Sequence, residues 1–110
     1  MKVELLYFDG CPGCEKAEQA LRAALSKAGI RGGFELELVA VDTDEEAERL
    51  RFPGSPTIRV DGEDLFPEGL GQRASWHLGC RLYRAPEGLE DHPSAEMIRT
   101  RLLRKQGEKG

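Results

Sequence analysis

The chain has 110 residues, 39% hydrophobic and 33% charged, with a formal net charge of -4. That length fits one domain around one core, and the acidic balance argues against nucleic acid as a partner, since general binders draw on a basic excess. No stretch approaches the ~20 apolar residues of a membrane-spanning helix. Met1-Lys2-Val3-Glu4 has an acidic residue where a signal peptide would be apolar, so no membrane association and a cytoplasmic location are expected.

In chain order, Val3 to Phe8 is a short apolar run closed by Asp9-Gly10, the pattern of a buried strand. A helix is predicted from Cys11 or Pro12, since proline is favoured at a first helical position. Ala17, Ala20, Leu21, Ala24, Leu25 and Ala28 recur at steps of three and four and make one apolar stripe, with Gly29 as the stop. Phe34 to Val41 starts with strict alternation and ends apolar, a strand partly exposed at its start. Thr43 with Glu46 three residues on fits a capping box for a short helix carrying Ala47 and Leu50, which Phe52-Pro53-Gly54 ends.

Pro56 to Val60 is the next predicted strand, and Asp61-Gly62 is a strong hairpin turn returning through Glu63 to Phe66. The glycine-containing stretch 67–79 has the composition of a loop. Cys80 to Arg84 alternates and is predicted as a further short strand, followed by a turn-rich connection over 85–92. From Pro93 or Ser94, the residues Ala95, Met97, Ile98, Leu102 and Leu103 give a last amphipathic helix. The tail 105–110 is expected to fray, leaving 1–104 as one domain. The order strand, helix, strand, helix, hairpin, helix predicts an α/β fold. Its βαβ unit demands a parallel strand pair, its hairpin makes the sheet mixed, and helices should cover both faces.

The chemistry is concentrated in Cys11-Pro12-Gly13-Cys14, between the first strand and the first helix. A thiolate there would be stabilised by unpaired helix N–H groups and the positive end of the helix dipole, the setting that lowers a cysteine pKa. Cys11 is the expected exposed nucleophile. Cys14, one turn on and less exposed, is the expected resolving thiol that attacks a mixed disulfide at Cys11. Three cysteines in all do not suit a purely structural disulfide framework. A zinc site would need four Cys, His or carboxylate ligands, and only Cys80, His77 and His92 could supplement the pair.

Cys11-Pro12-Gly13-Cys14 after the first strand and Gly54-Ser55-Pro56-Thr57 before the third resemble the thioredoxin-like superfamily, over Val3 to Phe66 and again in the last helix. The resemblance implies a thioredoxin-like fold and thiol–disulfide oxidoreductase activity. It implies a cis Pro56 facing the dithiol, with Ser55, Pro56 and Thr57 aligning the substrate. The partners it implies are protein or small-molecule disulfides, with an external dithiol or glutathione as reductant and no bound cofactor. The chain departs from typical thioredoxin in having Asp9-Gly10 rather than tryptophan before Cys11. Its Pro-Gly between the cysteines is closer to the Pro-x of glutaredoxins. The run Arg51 to Gly62 with a later Cys80-Arg81-Leu82-Tyr83 is similar to a group of small bacterial thioredoxin-like proteins, some labelled as related to alkylmercury lyases. That label implies a second reading, in which Cys11, Cys14 and the candidate third thiol Cys80 bind a soft metal ion such as mercury. Trp76 and His77, just before Cys80, are expected as a loop anchor and a surface residue.

Overall fold

The computed structural model describes residues 1–11, 13–29, 33–67 and 81–109. In chain order the elements are β1 (Lys2–Tyr7), α1 (Cys14–Ala28), β2 (Glu35–Ala40), α2 (Asp44–Leu50), β3 (Thr57–Val60), β4 (Glu63–Asp64), β5 (Tyr83–Ala85), β6 (Gly88–Glu90) and α3 (Ala95–Lys109). Four strands form a sheet in the order β2-β1-β3-β4. β1 and β2 are parallel, with Leu5 opposite Leu38, whereas β3 runs antiparallel to β1, with Ile58 opposite Leu5. The chain is therefore mixed α/β with a mixed sheet, as the element order predicts.

β1 lies between β2 and β3 and sends buried apolar side chains to both faces of the sheet. Val3 and Leu5 point to one face, where they meet Ala17, Leu21, Ala24 and Leu25 of α1 and Ile98 and Leu102 of α3. Leu6 points to the other face and packs with Val41, Ala47 of α2 and Phe52. Helices thus cover both faces. Leu21 and Leu102 are fully buried, and burial of such a side chain stabilises by about 1.5–3 kcal/mol. β2 is an edge strand, which leaves Leu38 at 40% exposure.

Local chemistry sets the ends of these elements. The Thr43 hydroxyl accepts from the Glu46 amide at 3.1 Å, as a helix cap should. Arg59 reaches back from β3 and donates to the carbonyls of Leu50 and Arg51 at 2.7 and 2.9 Å, closing the C-terminus of α2. Asp61 and Gly62 both have positive φ, the conformation of a type I′ hairpin turn. Gly29 ends α1 in the left-handed region, as expected.

Three expectations are corrected. α1 starts at Cys14, with Gly13 as its N-cap, so Cys11 precedes the helix. β5 and β6 form a two-stranded sheet of their own, where the sequence suggested one strand followed by a connection. Arg81 and Leu82 precede β5, and the phase is the reverse of the hydrophobic one: Arg81 and Tyr83 are buried and Leu82 is 58% exposed. Finally, α3 runs from Ala95 to Lys109, and one residue predicted for its apolar face turns outward. Lys105 bridges back to Glu63 at 2.6 Å, and Leu103, placed on the apolar face by its spacing, is exposed. No helix among the described residues is long and apolar enough to cross a membrane.

Candidate functional site

Two consecutive turns carry the chain from β1 into α1. The Cys11 amide donates to the Phe8 carbonyl at 3.4 Å, and Gly10 takes φ +91°, a value that suits glycine at the third position of a tight turn. The Cys14 amide then donates to the Cys11 carbonyl at 3.3 Å, and the Ala17 amide to the Gly13 carbonyl at 2.9 Å. Both thiols therefore stand at the end of the central strand, on one edge of α1.

Both thiols meet Ser55. The Cys11 thiol donates to the Ser55 carbonyl at 3.3 Å, and the Cys14 sulfur lies 3.0 Å from the Ser55 hydroxyl. The same hydroxyl accepts from the Phe8 amide at 3.3 Å, and the Cys14 thiol reaches the Phe8 carbonyl at 3.6 Å. Ser55 thus joins the two sulfurs to the strand end. The Ser55–Pro56 peptide bond is cis.

Cys11 is 9% exposed and Cys14 is half-buried. The order of exposure is opposite to the sequence expectation, because the Cys11 side chain turns in under the Ser55 carbonyl. Burial pushes the Cys14 thiol up to about 11, and the hydrogen bond and charge of Cys11 push the same way, while the Ser55 hydroxyl pulls it down. Cys14 therefore keeps its proton at neutral pH. As a linked group, Cys14 favours the folded state fully below its ordinary value of 9.0. That contribution is lost as pH rises through about 11.

Ser55, Pro56 and Thr57, expected to face a substrate, are all buried. The Ser55 carbonyl also accepts from the Arg81 amide at 2.9 Å, and the Thr57 hydroxyl is turned to the Gly54 carbonyl at 2.5 Å. Tyr83 donates its hydroxyl to the Pro56 carbonyl, and burial pushes that phenol well above its ordinary value. The backbone around the proline is thus engaged within the chain.

Arg81 was not singled out by sequence reasoning. It is 3% exposed and pairs with Asp64 at 2.7 Å. It also donates to the Phe66 carbonyl at 2.6 Å and the Thr57 hydroxyl at 3.3 Å, and its guanidinium lies 4.7 Å from the Tyr83 ring centre. Gly54, at φ +136°, lets this residue approach: an added Cβ would sit 2.9 Å from the Arg81 Cβ. On another side of the dithiol, a Cβ at Gly13 would run into the Asp91 carbonyl. His92 pairs with the Asp91 carboxylate at 2.8 Å, and that hydrogen bond holds the carboxyl below its usual value. Pro12, Trp76, His77 and Cys80 lie outside the described residues. Among the described residues no group of three or more Cys, His, Asp or Glu is placed to hold a metal ion.

An open groove of about 410 Å³ leads to the sulfurs between α1 and the β1–β2 face. Searches with family models, among curated proteins and among solved structures returned no match to this chain.

The Ser55 hydroxyl is predicted to set the reactivity of Cys14. With Cys11 replaced by alanine in both proteins, Ser55→Ala should move the pH midpoint of Cys14 alkylation upward by about one unit, the value of one hydrogen bond to the thiolate. Rates of iodoacetamide labelling read by mass spectrometry check this. A midpoint that stays in place would mean the hydroxyl does not act on the sulfur.

Proposed function

We propose that the chain is a thiol–disulfide oxidoreductase built on a thioredoxin-like fold. The observation that carries the reading is the placing of both sulfurs on one residue, Ser55, whose carbonyl receives Cys11 and whose hydroxyl meets Cys14. Supporting it are the parallel β1–β2 pair joined through α1, the antiparallel β1–β3 pair, and the dithiol at the β1–α1 junction.

In this reading the Cys11 thiolate attacks one sulfur of a substrate disulfide. A Cys11–substrate disulfide forms, and the first half leaves as a thiolate and takes a proton from water. Cys14, the thiol that Ser55 helps to ionise, then gives up its proton and attacks the Cys11 sulfur. The Cys11–Cys14 disulfide forms and the second half leaves, so two electrons pass from the protein to the substrate. An external dithiol or glutathione restores the pair.

The test is stoichiometric. Reduced Cys80→Ser protein, whose thiols are Cys11 and Cys14 alone, mixed with excess bis(2-hydroxyethyl) disulfide, with no other thiol present, should lose both and release two equivalents of mercaptoethanol. The rate should exceed that of a thiol peptide of ordinary pKa. A reduced protein that keeps both thiols under these conditions would overturn the proposal.

A further inference from the structure

Three sides of the dithiol are closed by the chain itself. The Ser55 carbonyl, which receives the Cys11 thiol, already takes the Arg81 amide. The Asp91 carbonyl is packed against Gly13. Phe8 covers the Cys14 sulfur through its carbonyl and the Ser55 hydroxyl through its amide. An extended peptide laid beside Ser55 would have to displace the Arg81 amide, whose side chain is anchored by Asp64, Thr57 and the Phe66 carbonyl.

The groove remains open. Its walls are apolar at Leu5, Tyr7 and Leu38 and acidic at Asp9, Glu15 and Glu18, and the described residues that line it include no lysine, arginine or histidine. Arg22 pairs with Glu18 at 3.0 Å on an exposed surface, where such a pair screens only part of the charge. Glu15 and Asp9 are exposed. A thiolate arriving at Cys11 adds to the same negative field.

Resting on the oxidoreductase reading, we propose that the groove selects a low-molecular-weight disulfide carrying positive charge, an amine-bearing one of the cystamine type, over an anionic one such as glutathione disulfide. The carboxylates are no site by themselves. The sulfurs between them supply the bond that is exchanged, and the field around them selects which charged partner reaches it. The exchange is the two-step reaction already described, with an aminothiol as each leaving group.

The test compares single-turnover rate constants of the reduced full chain with three probes: cystamine, doubly positive; bis(2-hydroxyethyl) disulfide, neutral; and glutathione disulfide, doubly negative. Each is divided by the rate of dithiothreitol with the same disulfide, which removes differences in intrinsic reactivity. Cystamine should exceed glutathione disulfide by at least about tenfold at low salt. Raising the salt to about 0.5 M should shrink the ratio severalfold. The Glu15→Gln, Glu18→Gln double variant should bring the cystamine-to-neutral ratio severalfold closer to one. Glutathione disulfide reacting as fast as cystamine, or a ratio indifferent to both salt and the glutamates, overturns the charge selection. Insulin disulfides reacting faster than cystamine overturn the selection of small molecules. In each of these cases the oxidoreductase reading stands if the neutral disulfide still oxidises the protein. If the neutral disulfide leaves the protein reduced, both fall together.

Discussion

Cys14→Ser is expected to stop the reaction half-way. In a Cys80→Ser background, which leaves Cys11 as the one thiol, reduced variant and excess bis(2-hydroxyethyl) disulfide should release one equivalent of mercaptoethanol and retain the other on Cys11, visible as a mass increase of one half-substrate. The physical reason is proximity. In the native chain the second attack is intramolecular, from a thiol one turn along whose amide is bonded to the Cys11 carbonyl. Well-oriented intramolecular reactions carry very large effective concentrations. Without that thiol, clearance of the mixed disulfide should slow by at least about a hundredfold. Serine keeps the polar contact to the Ser55 hydroxyl, so a folding defect is not the expected cause. Release of two equivalents by the variant would show that Cys14 is not the resolving group.

Asp64→Ala should be the most damaging single change to stability outside the core. The Arg81 and Asp64 side chains are 2% and 7% exposed. Removing the carboxylate leaves a guanidinium in the interior whose remaining hydrogen-bond acceptors, among the described residues, are the Phe66 carbonyl and the Thr57 hydroxyl. Breaking a buried pair from one side costs about 3–5 kcal/mol, a large share of the 5–15 kcal/mol that a domain normally has. Replacing both partners by apolar residues, Asp64→Leu with Arg81→Met, should recover most of the loss, since the penalty belongs to the uncompensated charge. Urea unfolding measures both. A loss below about 1 kcal/mol for Asp64→Ala would show that water reaches the pair.

What could be read from the sequence follows from which signals are local. The stripe of α1, the Thr43 cap, the Gly29 stop and the Asp61-Gly62 turn are each written in a few adjacent residues, and the structure has all four. The parallel pairing of β1 with β2 was legible from the strand–helix–strand order, and the antiparallel pairing of β3 with β4 from the hairpin turn. Arg81 was not, since charge in an alternating run signals the solvent face. Its burial depends on Asp64, seventeen residues earlier, and nothing local to either residue announces the other. The exposure of Cys11 was misread for a related reason: its cover is the Ser55 carbonyl, forty-four residues away. The helix start differed by a turn because Pro12 and Gly13 both suit a helix N-terminus, and Gly13 holds the capping position.

The sheet's two faces are unequally furnished. Among the described residues, one carries α1 and α3 over a large apolar cluster, whereas the other carries the seven-residue α2 and a small group around Leu6, Val41 and Phe52. A helix of that length has little stability of its own. Amide exchange should therefore distinguish a slowly opening body, containing α1 and the sheet centre, from a faster one made of α2 and the residues after it. Ser55 stands where the two meet: it follows Phe52 of the lighter unit by three residues and is held by Arg81 to the heavier one. The sulfurs are thus fixed to the slow body, and the hydroxyl that pulls the Cys14 pKa down is attached at the border of the fast one.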